Sequence, residues 1–366
     1  MGRTQDEYLI GLNLIPELTP RRMTRLLAHL ASPQAIWEAS EKALASLPGF
    51  GAVAAKVVAS RSEEALDREL ARSRKLGIQF LTYLDAGYPP LLRQIDAPPA
   101  VLYVRGNAML NTTRMIAIVG TRRSSRYGRS VAEGLAEELG RRGIIVVSGL
   151  AIGIDAAAHR GALKAGAQTI AVLGAGFLHP CPACNSGLAD AISKAGTLIS
   201  EYPLSTRPAK WTFPRRNRSL AGLSRGIVVV EAPERSGALI TARLALDQGR
   251  EVFAVPGNIT STGSCGTNRL IQEGAKLVQT VDDILCELPG LVISETISVA
   301  DAKAAALTLS EVEQRVYDLI GLEPMHIDDI IARGDLSPSK AAHVLLLLQI
   351  NQLIQEVEGR RYIRTL

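Results

Sequence analysis

Between residues 112 and 288 the chain alternates short apolar runs with longer segments of helical character. Met115-Ile-Ala-Ile-Val119 leads into Gly120-Thr121-Arg122-Arg123-Ser124-Ser125, and Ile144-Ile-Val-Val147 leads into Ser148-Gly149-Leu150-Ala151-Ile152-Gly153-Ile154-Asp155. Residues 169–173 run into Gly174-Ala175-Gly176, residues 227–230 into Glu231, and residues 251–255 into Pro256-Gly257. Continuous apolar strands separated by helices predict a parallel sheet covered on both faces. Ligands of such a sheet sit at the carboxyl ends of the strands, where these glycines fall.

The flanks follow other periods. Residues 1–75 read as helical, with Leu26, Leu27, Leu30, Ile36 and Trp37 supplying apolar faces. Within them, Leu44-Ala-Ser-Leu47-Pro48-Gly49-Phe50-Gly51 before Ala55-Lys56-Val57-Val58 resembles a helix-hairpin-helix, either a DNA contact or a helix–helix connector. Residues 76–111, with Tyr88-Pro89-Pro90 and Ala97-Pro98-Pro99-Ala100, read as a proline-rich connector, and 289–306 as a polar, alanine-rich linker. In 307–366, three helices and a hairpin predict a winged-helix domain, its third helix capped by Ser337 with Pro338 at the first position. That helix offers Lys340 and His343 to duplex DNA, but its Val344-Leu-Leu-Leu-Leu348 run suits protein docking equally well.

Composition narrows the class. At 366 residues the chain is long enough for two or three domains, and 47% hydrophobic residues supply real cores. A net charge of +5 is compatible with a polyanionic partner. Four cysteines in this length make no disulfide framework. No signal peptide or membrane-length apolar run is evident, so a cytoplasmic protein without membrane association is expected.

Chemistry concentrates at the strand ends. Gly120 through Ser125 joins a strand to a helix expected over 129–140, so free amides and the helix dipole favour an anion that Arg122 can clamp. The run is neither a dinucleotide fingerprint nor a Walker loop. Lys210 and Phe213-Pro214-Arg215-Arg216-Asn217-Arg218 offer phosphate contacts and a ring on which a base stacks. Asn217 suits base edges or a helix cap. Ser236 and Gly237 open another helix as an amide nest, and Glu231 is expected to pair with a nearby arginine. Asp155 and His159, at i and i+4, read as a hydrogen-bonded pair anchoring the glycine loop, with general acid/base work as the minor reading. Cys181-Pro-Ala-Cys184 has zinc-like spacing, but no fourth ligand is evident.

With these motifs in order, the chain resembles the DprA/Smf family of DNA-processing proteins. The resemblance is dense from Tyr88 to Val278 and includes Gly120-Thr121-Arg122, Ser148-Gly149-Leu150-Ala151, Gly153-Ile154-Asp155, Leu173-Gly174-Ala175-Gly176, Ser200-Glu201-Tyr202-Pro203, Phe213 to Arg218, Ser236-Gly237 and Val255-Pro256-Gly257. It implies an extended Rossmann fold, dimeric through that domain, that binds and protects single-stranded DNA and loads RecA recombinase onto it in natural transformation and recombination. By motif position it implies DNA contacts at Arg122, Lys210, Phe213, Arg215, Asn217 and Arg218, with Gly120, Ser148, Gly149 and Ser236 shaping the groove. Thr121 stands where many relatives have serine, and the Cys181–Cys184 segment departs from the family's Tyr-Pro dipeptide. The resulting expectation is a non-enzymatic mediator without cofactor or metal. The rival is a Rossmann-like hydrolase of nucleoside phosphates using Glu231 or Asp155.

Overall fold

The computed structural model describes residues 2–107, 110–180, 182–288, 291, 311–321, 324–334, 336–350, 353–357 and 359–364. The chain divides into two compact units, residues 1–292 and 293–366.

The first unit is built on a nine-stranded sheet. Its strands are β1 (Gln79–Thr82), β2 (Val101–Gly106), β3 (Met115–Val119), β4 (Ile145–Ser148), β5 (Thr169–Val172), β6 (Thr197–Ser200), β7 (Gly226–Val229), β8 (Glu251–Ala254) and β9 (Lys276–Leu277). Their order is β1-β2-β6-β5-β4-β3-β7-β8-β9. The strands from β6 to β9 are parallel neighbours throughout, while β2 runs antiparallel to both β1 and β6. Every residue of β3, β4, β5 and β7 is buried, which is why these strands are apolar without alternation.

Helices Arg126–Arg141 and Ile154–Lys164 cover one face through Leu135, Ala136, Ala158 and Ala162. Helices Thr212–Leu223, Gly237–Asp247 and Cys265–Gln272 cover the other through Leu220, Ala238, Ala242 and Leu270. The segment read as a connector contributes β1, β2 and the short helix Pro90–Arg93. Its prolines sit at the ends of these elements, where the missing amide costs no ladder bond.

The N-terminal helices share a core with this sheet. Leu9, Leu12, Ile36 and Leu66 pack in one cluster with Val101, Tyr103, Ala171 and Leu198. Helix Glu63–Lys75 is tied to the sheet by Glu69, which is buried and accepts hydrogen bonds from the Tyr103 hydroxyl (2.9 Å) and the Leu204 amide (2.8 Å). In the expected hairpin, helices Glu41–Ala45 and Ala54–Ala59 flank a turn with Gly49 at φ +83° and Phe50 buried.

The second unit holds helices Glu311–Leu319, Ile327–Gly334 and Pro338–Ile350 with a three-stranded sheet, β10 (Met325–His326), β12 (Arg361–Arg364) and β11 (Ile354–Val357) in that order. Val316, Ile330, Leu345, Leu348 and Tyr362 form its core. Ser337 caps the third helix at the Lys340 amide, and Lys340, His343 and Leu346 lie exposed along it. Apart from residue 291, the expected linker lies outside the described residues. Among the described residues no helix is long and apolar enough to cross a membrane.

The expected Asp155–His159 pairing is corrected. His159 is fully buried, and its Nδ1 lies 2.8 Å from Thr169 Oγ1 on β5. That hydroxyl donates to the Val146 carbonyl, so the imidazole supplies the proton between them. Nδ1 reaches the neighbouring strand because His159 lies on the sheet side of its helix, while Asp155 turns to the loop before it.

Two outcomes follow from these buried groups. Glu69→Ala strands two buried donors, each costing about 1–3 kcal/mol, and should lower the denaturant midpoint; an unchanged midpoint would show that this tie is unimportant. Burial, then the Arg216 charge, pushes His159 down to about 3. The unfolded chain therefore takes up a proton near pH 6.5 that the folded chain refuses, and stability falls as pH drops from 6.5 towards 3. His159→Gln should flatten that limb by about 1.4 kcal/mol per pH unit, read from denaturation across an acid pH series.

Candidate nucleic-acid interface

The strand order reverses beside β3. From β3 the chain passes to helix Arg126–Arg141 on one face, and from β7 to helix Gly237–Asp247 on the other, so their loops part at the carboxyl edge. The loops after β4 and β5 and the start of helix Thr212–Leu223 close the remaining sides.

Arg216 holds this arrangement together. Its guanidinium is buried and donates to the carbonyls of Gly149 and Val172, at the ends of β4 and β5. Its Nε donates to Asn217 Oδ1 at 2.9 Å. Gly149 must lack a side chain, because a Cβ there would lie 2.4 Å from Arg216 Nη1. Asp155, also buried, accepts from the Ala151 amide at 3.4 Å and so anchors the glycine loop. Burial raises the Asp155 pKa and the Arg216 charge opposes the rise; burial lowers that of Arg216 and Asp155 opposes the fall.

One turn before Arg216, Phe213 projects into the crevice, its ring seated on Gly174, where a Cβ would come within 2.9 Å. The exposed Arg122 guanidinium lies over this ring at 5.0 Å from its centroid. Two recesses adjoin the Arg122–Phe213 pair. One, of about 140 Å³, is bounded by Gly149, Gly174, His179, Pro208 and Arg216. The other, of about 100 Å³, is bounded by Gly120, Asp155, Asn217, Gly237 and Thr241. Gly237 opens its helix with space around it, since a Cβ there would meet nothing within 4 Å.

Lys210, Arg207, Arg123 and Arg126 are exposed. Among the described residues neither these nor Arg122 enters an ion pair; the pairs lie elsewhere.

Other sequence-derived residues are committed to the protein itself. Among the described residues Glu231 pairs with no arginine, contrary to expectation. It accepts from the Ser125 amide (2.9 Å) and hydroxyl (3.1 Å), filling the helix N-terminus read as a free anion site. The carboxylate sits in space left by Gly128 and Gly263, where added Cβ atoms would fall 2.1 and 2.4 Å from its oxygens. Ser125 Oγ also caps the Gly128 amide. The Thr121 amide donates to the Glu231 carbonyl. Ser148 is buried and donates to the Ile118 carbonyl, and Ser236 caps its helix at the Ala238 amide.

Arg215 and Arg218 do not join the crevice. Both engage the buried Glu201, at 3.0 and 3.6 Å, with Ser219 Oγ at 3.3 Å from the other carboxylate oxygen. They open onto a separate cleft of about 460 Å³ with Arg21, Asp96 and Asp247. Sequence reasoning counted Arg216 only within a phosphate-contacting run and gave it no structural role, although Phe213, Arg216 and Asn217 share one helical face by spacing alone. It also passed over Trp211, which is 57% exposed. Cys181 lies outside the described residues, and Cys184 is free and exposed.

The family model for DNA recombination-mediator protein A covers residues 79–289, and that for the DprA winged helix domain covers 300–360. The DNA processing protein DprA of Bacillus subtilis is 47% identical over 225 residues, spanning 61% of this chain and 76% of its own. The crystallographically solved DNA processing protein A of Streptococcus pneumoniae is 35% identical with a TM-score of 0.67, covering 78% of this chain and 99% of that one. DNA processing protein A of Helicobacter pylori, a structure that addresses its single-stranded DNA binding mode, is 31% identical with a TM-score of 0.52 over 58% of this chain and 96% of that one. With a mostly parallel Rossmann-like sheet and a C-terminal winged helix, the chain belongs to the DprA/Smf family of DNA recombination-mediator proteins.

Proposed function

We propose that this chain binds single-stranded DNA along the carboxyl edge of its sheet and acts there as a recombination mediator rather than as an enzyme. The observation that carries the reading is the Arg122 guanidinium lying over Phe213, with exposed Arg123 and Arg126 just after Arg122 in the chain and exposed Arg207 and Lys210 just before Phe213. Arginine and lysine neutralise phosphates, and the exposed Arg122 guanidinium laid on the half-buried Phe213 ring gives a base a flat face, so binding is sequence-tolerant and weakens with salt. Gly237 leaves room for a backbone to approach a helix N-terminus.

Protection of the strand, RecA loading during transformation or recombination, and dimerisation through the Rossmann domain belong to the same reading. Family membership supports them. The winged helix, with Lys340, His343 and Leu346 exposed on its third helix, is assigned to duplex DNA or a protein partner.

The hydrolase reading is the weaker one. Asp155 is buried against Arg216 and the loop amides, and Glu231 is bound to Ser125. Each carboxylate already has a structural task.

Anisotropy of a labelled oligonucleotide, single- against double-stranded over a salt series, tests the proposal. Arg122→Ala and Lys210→Ala should each weaken single-strand binding and reduce the log–log salt slope by about 0.7 per lost phosphate contact. Unchanged affinity in both would remove the groove assigned here. Arg218→Ala separates fold from contact: it should lower the unfolding midpoint by exposing Glu201 to less compensation, while the salt slope stays put. A fall in slope with stability intact would return Arg218 to the DNA-contacting set.

A further inference from the structure

Trp211 lies between Lys210 and Phe213 on the approach to helix Thr212–Leu223, and it has no place in the crevice so far described. The chain has only two tryptophans. Trp37 is buried, and its indole N–H donates to Glu63 at 3.0 Å. Trp211 is 57% exposed. Exposing so much of the largest side chain works against folding, so its position calls for a reason.

The ring is braced. It meets Tyr202 edge-on, with centroids 5.8 Å apart and planes at 76°. Tyr202 is itself fixed: it is 1% exposed, its hydroxyl donates to the Thr212 carbonyl at 2.7 Å, and the Arg215 guanidinium lies over its ring at 5.2 Å. A rigid exposed aromatic loses little conformational freedom on binding. Its nearest sequence neighbour is the unpaired, exposed Lys210, with Arg207 also exposed on the same loop. An aromatic face flanked by free cations and two residues from a second ring matches a nucleic-acid track better than an apolar protein contact.

We infer that Trp211 is a second base-stacking platform, carrying the single strand beyond the Arg122–Phe213 pair towards the loop of Arg207 and Lys210. The inference rests on the proposed single-strand binding and adds a base-contacting residue to it. The Arg122–Phe213 pair holds a base in the crevice, Lys210 takes an intervening phosphate, and Trp211 stacks a neighbouring base outside it.

The test uses the full chain and a single-stranded oligothymidylate. Titration should quench tryptophan fluorescence, the quench should vanish in Trp211→Leu, and it should persist in Trp37→Phe. Trp211→Leu should weaken binding by between about 5-fold and 150-fold with an unaltered salt slope, since stacking releases no counterions. Trp211→Phe should recover most of the affinity. Leucine covers Tyr202 as phenylalanine does, so equal binding by the two variants would reduce Trp211 to a structural cover and overturn the inference. Binding without quenching, or wild-type affinity in Trp211→Leu, would overturn it too and leave the face to a protein partner. Absence of any single-strand binding by the wild-type chain would instead overturn the parent reading, and this one with it.

Discussion

The buried Arg216 guanidinium is the constraint on which the crevice depends. It joins three elements that the chain makes at distant points, the ends of β4 and β5 and the first turns of helix Thr212–Leu223. An arginine taken out of water is tolerable only when its donors are used and its charge is opposed. Two strand-end carbonyls, Asn217 and the nearby Asp155 meet those conditions. Because Arg216 fixes the helix, Phe213 one turn earlier has a single place to go, over Gly174, and Arg122 finds a ring beneath it. Removing the guanidinium would therefore be felt first in the position of Phe213, not in the count of exposed charges.

The same economy of charge explains why some cations at this edge stay free. Glu201 holds Arg215, Arg218 and Ser219, and Glu231 closes the helix at Ser125. Two carboxylates near the rim are thereby committed inward. Arg122, Arg123, Arg126, Arg207 and Lys210 are left facing solvent and enter no ion pair among the described residues, Arg122 feeling the buried Asp155 only through its charge. A Rossmann-like sheet usually presents a helix N-terminus to a ligand phosphate. Here the N-terminus after β3 is already filled by the protein's own carboxylate.

Much of this was legible in the sequence, and the failures share one cause. The runs at Met115, Ile144 and Ile227 are buried on both faces, so their apolar continuity reports the parallel sheet directly. Helical spacing also sorts the arginine motif: residues 213, 216 and 217 share one face, and 215, 218 and 219 another. What spacing cannot supply is the partner of each face. Glu201 lies 14 residues before Arg215, and Glu231 lies 106 residues after Ser125. The proline-rich segment hid β1 and β2 because β2 is covered by distant elements, Val101 and Tyr103 by the N-terminal helices and Leu102 and Val104 by the core on the other face. His159 turned to Thr169 and not to Asp155 for a similar reason. An i, i+4 relation fixes a shared helix face, but the strand packed against that face decides the bond.

Which polar groups remain free also bears on what kind of recognition this edge allows. Reading base edges needs hydrogen-bonding side chains held ready in the groove. Ser148 spends its hydroxyl on Ile118, Ser125 divides its own between Glu231 and Gly128, and Asn217 gives its carbonyl oxygen to Arg216. Apart from the Asn217 amide N–H groups and His179, the side-chain groups left over at this edge are guanidinium and ammonium ions and aromatic faces. Those recognise phosphate and the π-surface common to every base. On the proposed reading, indifference to sequence follows from how the crevice is held together: the hydroxyls of Ser125 and Ser148 and the Asn217 carbonyl oxygen, which could have accepted from bases, are spent on building it.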